Sequence, residues 1–166
     1  MIRDVLDFNY CAPATRGAAN SAQMECERIK VMAQYSAIPL TGNPGIQRVA
    51  TLIAKLLRMP YVSVSLAPEA GTQRVGAVGL PMERTLSGVP FMQATRDCGR
   101  SFAVCDISKD SRFVAHPRVV GPPFFRSAIC APLWHKDGWF LGHAAGWDTE
   151  PRIFGDEDIH LLESLV

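Results

Sequence analysis

The fold is decided by residues 102–133, which read FAVCDISKDSRFVAHPRVVGPPFFRSAICAPL. Short β-prone runs at 102–105 and 127–133 flank residues 106–126, called the central loop below, in which His116-Pro117, Gly121 and Pro122-Pro123 prevent one continuous helix or strand. A loop of this length is usually either functional or disordered, and apolar anchors argue against disorder. The anchors are Ile107, Phe113, Val114, Val119, Phe124 and Phe125. We therefore predict a packed loop that covers one face of a sheet.

Helices and strands are predicted on both sides of the central loop. Apolar residues recur at helical spacing over about 21–35, 44–57, 88–98 and 156–166, and strand patterns cover 61–66, 72–78, 101–105, 127–133 and 139–147. In the first strand, Val62, Val64 and Leu66 alternate with residues that face the other way, Tyr61, Ser63 and Ser65. In the first helix, Arg28 is predicted to lie off the apolar face. This order of elements predicts an α+β fold of three layers, with a central and mostly antiparallel sheet of five or six strands.

Length and charge limit the possible classes of protein. A chain of 166 residues can bury one sizeable core, so we predict a flexible arm at 1–20 and a single domain at 21–166. No apolar run approaches the roughly 20 residues that cross a bilayer, and no signal peptide is recognisable. Basic and acidic residues are interspersed and the net charge is +1, which offers no binding stripe for nucleic acid or anionic lipid. We expect a cytoplasmic protein that binds neither nucleic acid nor membrane.

The cysteines and histidines do not have the spacing of a metal site. Five cysteines occur without a CxxC pair, and four histidines are scattered along the chain. In a cytoplasmic protein we expect these cysteines to be reduced, free and mostly buried. Asp106, Asp110 and Arg112 form a charged group on the central loop, which we predict to cap turns and to pair rather than to act in catalysis.

Many positions at matching spacing make this chain similar to GAF domains, the small-molecule sensor modules of bacterial signalling proteins such as histidine kinases and diguanylate cyclases. The matched positions are Val104, Asp106, Asp110, Arg112, Phe113, Pro117, Val119, Gly121, Pro123, Arg126 and Pro132-Leu133, then Gly142, Asp148, Pro151 and Arg152. The similarity extends over about residues 28–166. It implies a GAF/PAS-like three-layer module, with the terminal helices on one face of the sheet and a short helix plus the long loop on the other.

The resemblance also implies a ligand cavity on the loop side of the sheet. The residues that it places there are Ser63, Ser65, Phe91, Thr95, Val104, Phe113, Ser127, Cys130 and Trp147. Apolar walls with a few hydroxyls are typical of small-molecule sites. Ser127-Ala128 stand where many relatives carry two aromatic residues, which would leave room for a ligand. The competing interpretation is that these side chains fill the space themselves.

Three functions remain open at this stage. The resemblance favours a non-enzymatic sensory or regulatory domain that binds an unidentified small ligand, dimerises through its terminal helices and relays a signal to an output domain such as a histidine kinase or diguanylate cyclase. An alternative is a GAF-type methionine sulfoxide reductase, for which Cys98 and Cys130 are the plausible thiol pair. Another is a purely structural dimerisation module. A phytochrome-type photoreceptor is disfavoured because no cysteine is followed by histidine, and any cofactor stays unidentified.

Overall fold

The computed structural model describes residues 21–36, 40–67, 72–82, 84–85 and 89–166, so the predicted arm at 1–20 lies outside the described residues. The helices in the described part are α1 (Ser21–Ser36), α2 (Pro44–Leu56), α3 (Val89–Cys98), α4 (Pro117–Val120) and α5 (Asp156–Ser164). The strands are β1 (Tyr61–Leu66), β2 (Thr72–Val78), β3 (Arg84–Thr85), β4 (Phe102–Val104), β5 (Ser127–Trp134) and β6 (Phe140–Asp148). A 3-10 helix, Ile107–Lys109, follows β4. No helix of the described part is long and apolar enough to cross a membrane.

The six strands form one sheet in the order β3-β2-β1-β6-β5-β4, and every neighbouring pair is antiparallel. The hairpins β1–β2 and β5–β6 meet through β1 and β6, which pair over six residues at the centre of the sheet. This arrangement confirms the predicted α+β fold with an antiparallel sheet. The edge strand β3, with only two residues, has no periodicity to read and was not predicted.

One face of the sheet is covered by α2 and α5. Helix α2 begins where predicted, because the Asn43 side chain accepts hydrogen bonds from the amides of Gly45 and Ile46 and Pro44 occupies the first turn. The residues of β1 that were predicted to share a face pack against these helices. The buried members of this core include Ala50, Ile53, Leu57, Val62, Val64, Ile129, Ala131 and Leu162.

The other face is covered by α3 and the central loop. Helix α3 ends at Cys98, where Gly99 has a φ of +65°. The loop is more regular than predicted, since it contains the 3-10 helix and α4. Four of its expected anchors are buried, Ile107, Phe113, Val119 and Phe125. The prediction was wrong for the other two, because Val114 and Phe124 are 45% and 46% exposed.

Helix α1 corrects the predicted position of Arg28. This residue is only 5% exposed, and its Nη1 donates to the carbonyl of Ala67 just beyond β1. Met32, four residues later on the same face of the helix, is also buried. The long arginine stem can pack as an apolar surface while the guanidinium reaches a backbone carbonyl, which a hydropathy pattern does not register.

Candidate functional site

A cavity lies between the loop side of the sheet and the elements that cover it. Its floor consists of paired residues from the three adjacent strands β2, β1 and β6. Its roof comes from α3, the central loop and the segment after β2. The described lining is Ser63, Ser65, Thr72, Arg74, Leu80, Phe91, His116, Arg118, Phe125, His143 and Trp147. Among these residues only Leu80 and Arg118 are partly exposed.

The strand register brings the polar floor together. Ser65 pairs with His143 on β6 and with Arg74 on β2, so the three side chains emerge side by side on one face. A bulge in β2 opposite Val64 and Ser65 lets both Val75 and Gly76 face α2. Thr72 and Arg74 can therefore face the cavity while Val75 stays in the helix-side core.

Aromatic rings form the roof and the adjoining wall. Phe91 stacks on Phe113 with ring centroids 4.3 Å apart, and it meets the edge of Trp147 at 5.6 Å. Phe125 stacks on Trp147 at 5.5 Å. These rings also pack against Ile107 and Val104 in the loop-side core. The rigid aromatic wall thus ties the cavity to α3 and to the central loop.

His143 is a neutral group at the centre of the floor. Burial, with a smaller contribution from the nearby positive charge of Arg74, lowers its pKa to about 3. The Thr95 hydroxyl donates its one proton to the carbonyl of Phe91 (2.7 Å), so it accepts from Nδ1 of His143 at 3.2 Å. His143 therefore carries its proton on Nδ1 and leaves Nε2 as a hydrogen-bond acceptor.

The depressed pKa of His143 predicts a loss of stability in acid. In the unfolded chain the imidazole protonates below about pH 6.5, whereas in the folded domain it stays neutral down to about pH 3. The free energy of unfolding should therefore fall between these values, by up to about 1.4 kcal/mol per pH unit from this group. In chemical denaturation from pH 7 to pH 4, His143→Phe should show a shallower fall than the wild type. His160→Gln, which replaces an exposed histidine on α5, should keep the wild-type slope; equal slopes in all three proteins would contradict the assignment.

The cavity is almost filled by its own side chains. The volume open to the centres of water molecules is about 20 Å³, which is room for about one water molecule. Ser65 donates to Ser63 across the floor at 3.1 Å. The indole N–H of Trp147 is buried and has no acceptor among the described residues. A ligand larger than water must therefore displace part of the roof or turn a lining side chain.

The structure brings together most of the residues that the resemblance placed in a cavity. Ser63, Ser65, Phe91 and Trp147 line it. Thr95 forms a hydrogen bond with His143, and the ring of Phe113 stacks on that of Phe91. Val104 and Cys130 are buried in the loop-side core beside the lining.

Ser127 lies elsewhere. It is an odd number of residues from Cys130 on β5, so its side chain points to the opposite face, and its hydroxyl donates to the carbonyl of Glu150. The strand alternation alone separates Ser127 from Cys130.

Sequence reasoning missed seven lining residues. They are Thr72, Arg74, Leu80, His116, Arg118, Phe125 and His143. A signal existed for two of them: Thr72 and Arg74 are polar residues two apart on a strand, as are Ser63 and Ser65. The position of His143 followed from the β1–β6 register, which the sequence does not give.

The cysteines do not form the pair proposed for a reductase. Cys26, Cys105 and Cys130 are free, whereas Cys98 is disulfide-bonded, so Cys130 is not its partner and the expectation of a free thiol at Cys98 is wrong. Burial raises the pKa of the Cys130 thiol to about 12. Such a thiol stays protonated at neutral pH, which is the reverse of what a thiolate nucleophile needs.

The charged group on the central loop is structural. The Asp106 side chain accepts from the amide of Ser108 and caps the 3-10 helix, and Asp110 forms an ion pair with Arg112. The Arg112 guanidinium lies 4.9 Å from the centroid of the Phe113 ring. In the described part of the chain no three His, Cys, Asp or Glu side chains are grouped to hold a metal ion.

Solved structures with similar folds come from sensors and from enzymes. A free methionine-R-sulfoxide reductase from Neisseria meningitidis is 17% identical, with 94% of this chain and 91% of that chain covered and a TM-score of 0.59. The PixJ GAF domain of Thermosynechococcus elongatus, in its blue-light-absorbing form, is 18% identical, with 92% and 84% covered and a TM-score of 0.57. A domain assigned to a two-component sensor histidine kinase of Sinorhizobium meliloti 1021 is 20% identical, with 71% and 80% covered and a TM-score of 0.53. Identities this low establish the fold alone.

None of the curated protein sequences is a significant match to this chain. The family model of the GAF domain matches residues 45–166, which is most of the chain and includes the whole sheet, the central loop and α5. The chain therefore belongs to the GAF domain family.

Proposed function

We propose that this GAF domain is a non-enzymatic sensory module, which binds a small ligand in the cavity on the loop side of its sheet and relays the signal to an output domain. The observation that carries the proposal is the polar floor beneath an aromatic roof. Ser63, Ser65, Arg74 and His143 are all buried there, although a purely structural core of this size would normally be apolar. Burying polar groups lowers the stability of a fold, and a role in binding a ligand would explain why these groups are buried here.

The nearly closed cavity supports a switch between two packings. A ligand larger than water must turn a lining side chain or displace part of the roof, which consists of α3, the central loop and the segment after β2. The floor belongs to β2, β1 and β6. Helix α2 packs on the opposite face of these three strands, and α5 packs on the neighbouring strand β5. A ligand that binds the open packing more tightly than the closed one would shift the population between them, and α5 would carry the change to an output domain such as a histidine kinase or diguanylate cyclase.

The proposal is tested by filling the cavity. Ser63→Leu adds apolar volume to a cavity of about 20 Å³, while Ser111→Leu makes the same change at an exposed position of the central loop. We expect a molecule that co-purifies with the wild type, or one found by thermal-shift screening of metabolites, to bind Ser111→Leu unchanged and Ser63→Leu at least tenfold more weakly. A folded Ser63→Leu protein that keeps the wild-type affinity would place the ligand elsewhere and refute the proposal.

The reductase remains a second candidate because two free methionine-R-sulfoxide reductases are among the similar solved structures. The buried, protonated Cys130 and the absence of a Cys98–Cys130 pair argue against it. A turnover assay decides: reduction of free methionine sulfoxide that depends on added thiol would overturn the non-enzymatic proposal. The structural dimerisation module would instead be favoured by screens that find no ligand.

Dimerisation through the terminal helices is also part of the proposal. Leu162 of α5 is fully buried in the core, but Leu161 beside it is only partly covered, and Val166, two residues beyond the helix, is 44% exposed. Residues 156–166 therefore have apolar surface beyond what the sheet covers. Leu161→Glu places one charge on each subunit of a two-fold interface. In sedimentation at high micromolar concentration we expect the wild type and the control His160→Glu to be dimers and Leu161→Glu to be a monomer. A wild type that sediments as a monomer would count against pairing.

A further inference from the structure

We infer that α2 is a docking surface for α5 of a second copy of this chain, so that two copies form a two-fold dimer with two equivalent α2–α5 contacts. This inference rests on the proposed dimerisation, since it names the surface on which α5 packs. Three features of the molecule support it: the opposite charges of the two helices, the exposed leucines of α2, and the position of both helices on one face of the sheet.

The charges of α2 and α5 have opposite signs, although charges of both signs are interspersed over the chain as a whole. Helix α2 contains Arg48 and Lys55, and residues 37–68 include no Asp or Glu. Helix α5 contains no Lys or Arg. Its acidic residues are Asp156, Glu157, Asp158 and Glu163. The basic helix and the acidic helix are therefore electrostatically complementary.

Most of these charges have no partner within the chain. Arg48, Lys55 and Asp156 are exposed, and no ion pair in the described part of the chain involves any of them. Glu163 lies 3.6 Å from His160 of the same helix, and both side chains are exposed. Because an exposed contact of this kind contributes little to stability, Glu163 is also free to pair with a cation of another copy.

The spacing of the charges is the same on the two helices. Arg48 and Lys55 are seven residues apart, as are Asp156 and Glu163. Seven residues are close to two helical turns, so both charges of a pair lie on one side of the helix, about 10 Å apart along its axis. Two ion pairs can therefore form at once when α2 lies alongside α5 of a second copy.

Apolar surface lies beside these charges. Leu52 and Leu56 of α2 are 45% and 52% exposed, and Leu52 lines a shallow groove together with Arg48 and Lys55. On α5, Leu161 is only partly covered. Exposed ion pairs alone contribute too little for a stable dimer. Burial of the leucines would supply affinity, and the charges would determine which helix packs on α2.

Both helices lie on the same side of the sheet, where Ile53 of α2 and Leu162 of α5 belong to one core. A single two-fold axis can therefore place α2 of each copy on α5 of the other, and the contact then occurs twice. A different acidic partner on α2 would leave the acidic surface of α5 unpaired. A second copy is the occupant that pairs both helices.

The test reverses the charge of one helix at a time in the 166-residue chain. The α2-reversed protein combines Arg48→Glu with Lys55→Glu, and the α5-reversed protein combines Asp156→Lys with Glu163→Lys. In sedimentation we expect the dimer dissociation constant of each to rise at least tenfold, because like charges then face each other in both contacts. The control, Lys109→Glu with Lys136→Glu, changes two exposed residues outside α2 and α5 and should dimerise as the wild type does.

An equimolar mixture of the two reversed proteins should form dimers again. In a mixed dimer the acidic α2 meets the basic α5 of its partner, while the unchanged basic α2 meets the unchanged acidic α5, so both contacts attract. Pairing between two copies of α5 would not predict this recovery. If the α5-reversed protein does not fold, because a lysine opposes the helix dipole in the first turn, Glu163→Lys alone replaces it and must still dimerise on mixing.

The remaining outcomes separate this inference from the proposed dimerisation. An α2-reversed protein that dimerises as tightly as the wild type would refute α2 as the docking surface and leave pairing through the terminal helices standing. Two monomeric reversed proteins that do not associate when mixed would refute the α2–α5 contact. A wild type that stays monomeric at high micromolar concentration would refute both this inference and the proposed dimerisation.

Discussion

Phe113→Ala is expected to lower the free energy of unfolding by about 3 to 5 kcal/mol, the usual cost of truncating a buried phenylalanine. Phe113 is 1% exposed and lies in the middle of the central loop. Its ring stacks on Phe91 at 4.3 Å, almost parallel, and Arg112 covers it at 4.9 Å. Few side chains of the loop can move into the space, because the neighbouring rings are held by Trp147 and by the sheet. The measurement is chemical denaturation monitored by far-UV circular dichroism.

The adjacent residue provides the control. Val114→Ala also removes apolar carbons from the central loop, but Val114 is 45% exposed, so its cost should stay within about 0.5 kcal/mol, as is usual for a surface site. A loss below about 1 kcal/mol for Phe113→Ala would show that the loop is not packed on the sheet. The same variant should also weaken any ligand of the cavity, because Phe113 supports the ring of Phe91 that forms part of the roof.

Most helices and strands could be predicted from the sequence because their caps, turns and alternation depend on residues that are close together in the chain. Asn43 caps α2 and Pro44 occupies its first turn, and Gly138, with a φ of +81°, lies in the turn between β5 and β6. The alternation of β1 predicted that Ser63 and Ser65 share a face, and both residues line the cavity in the structure. The sequence did not predict β3 and α4, because elements of two and four residues are too short to show a period.

The site could be predicted only in part, since it depends on how strands align. Arg74 reaches the floor because a bulge in β2 changes the alternation after it. His143 meets Ser65 and Thr95 through the β1–β6 register and the packing of α3, which join residues distant in sequence. A lone histidine on a strand gave no hint of this role. The resemblance placed both Ser127 and Cys130 in the cavity. Residues three positions apart on a strand face opposite sides of the sheet, so the sequence already argued against placing both there.

Gly142→Ala is expected to lower the free energy of unfolding more than any other addition of a single methyl group to the sheet. Gly142 pairs with Leu66 on β1 and with Leu133 on β5, so it lies between two strands at the centre of the sheet. A Cβ at this position would collide with the carbonyl oxygen of Ser65 and would lie 2.8 Å from the Cα of Leu66. Both are backbone atoms, so no side-chain rotation relieves the contact, and the end of the β1–β6 pair must separate.

The expected cost of Gly142→Ala exceeds the roughly 1 to 3 kcal/mol of ordinary overpacking, because backbone pairing is lost together with the contact. The matched control is Gly155→Ala, where the nearest atom to an added Cβ is 4.0 Å away and φ is −92°, so the loss should not exceed about 1 kcal/mol. Both variants are compared by chemical denaturation, and amide hydrogen exchange reports whether protection is lost first at Leu66 and Gly142. Since Ser65 and His143 pair one step further along the same ladder, a Gly142→Ala protein that still folds should also bind cavity ligands more weakly. Equal stability of the two glycine variants would show that β1 and β6 do not approach as closely as the structure places them.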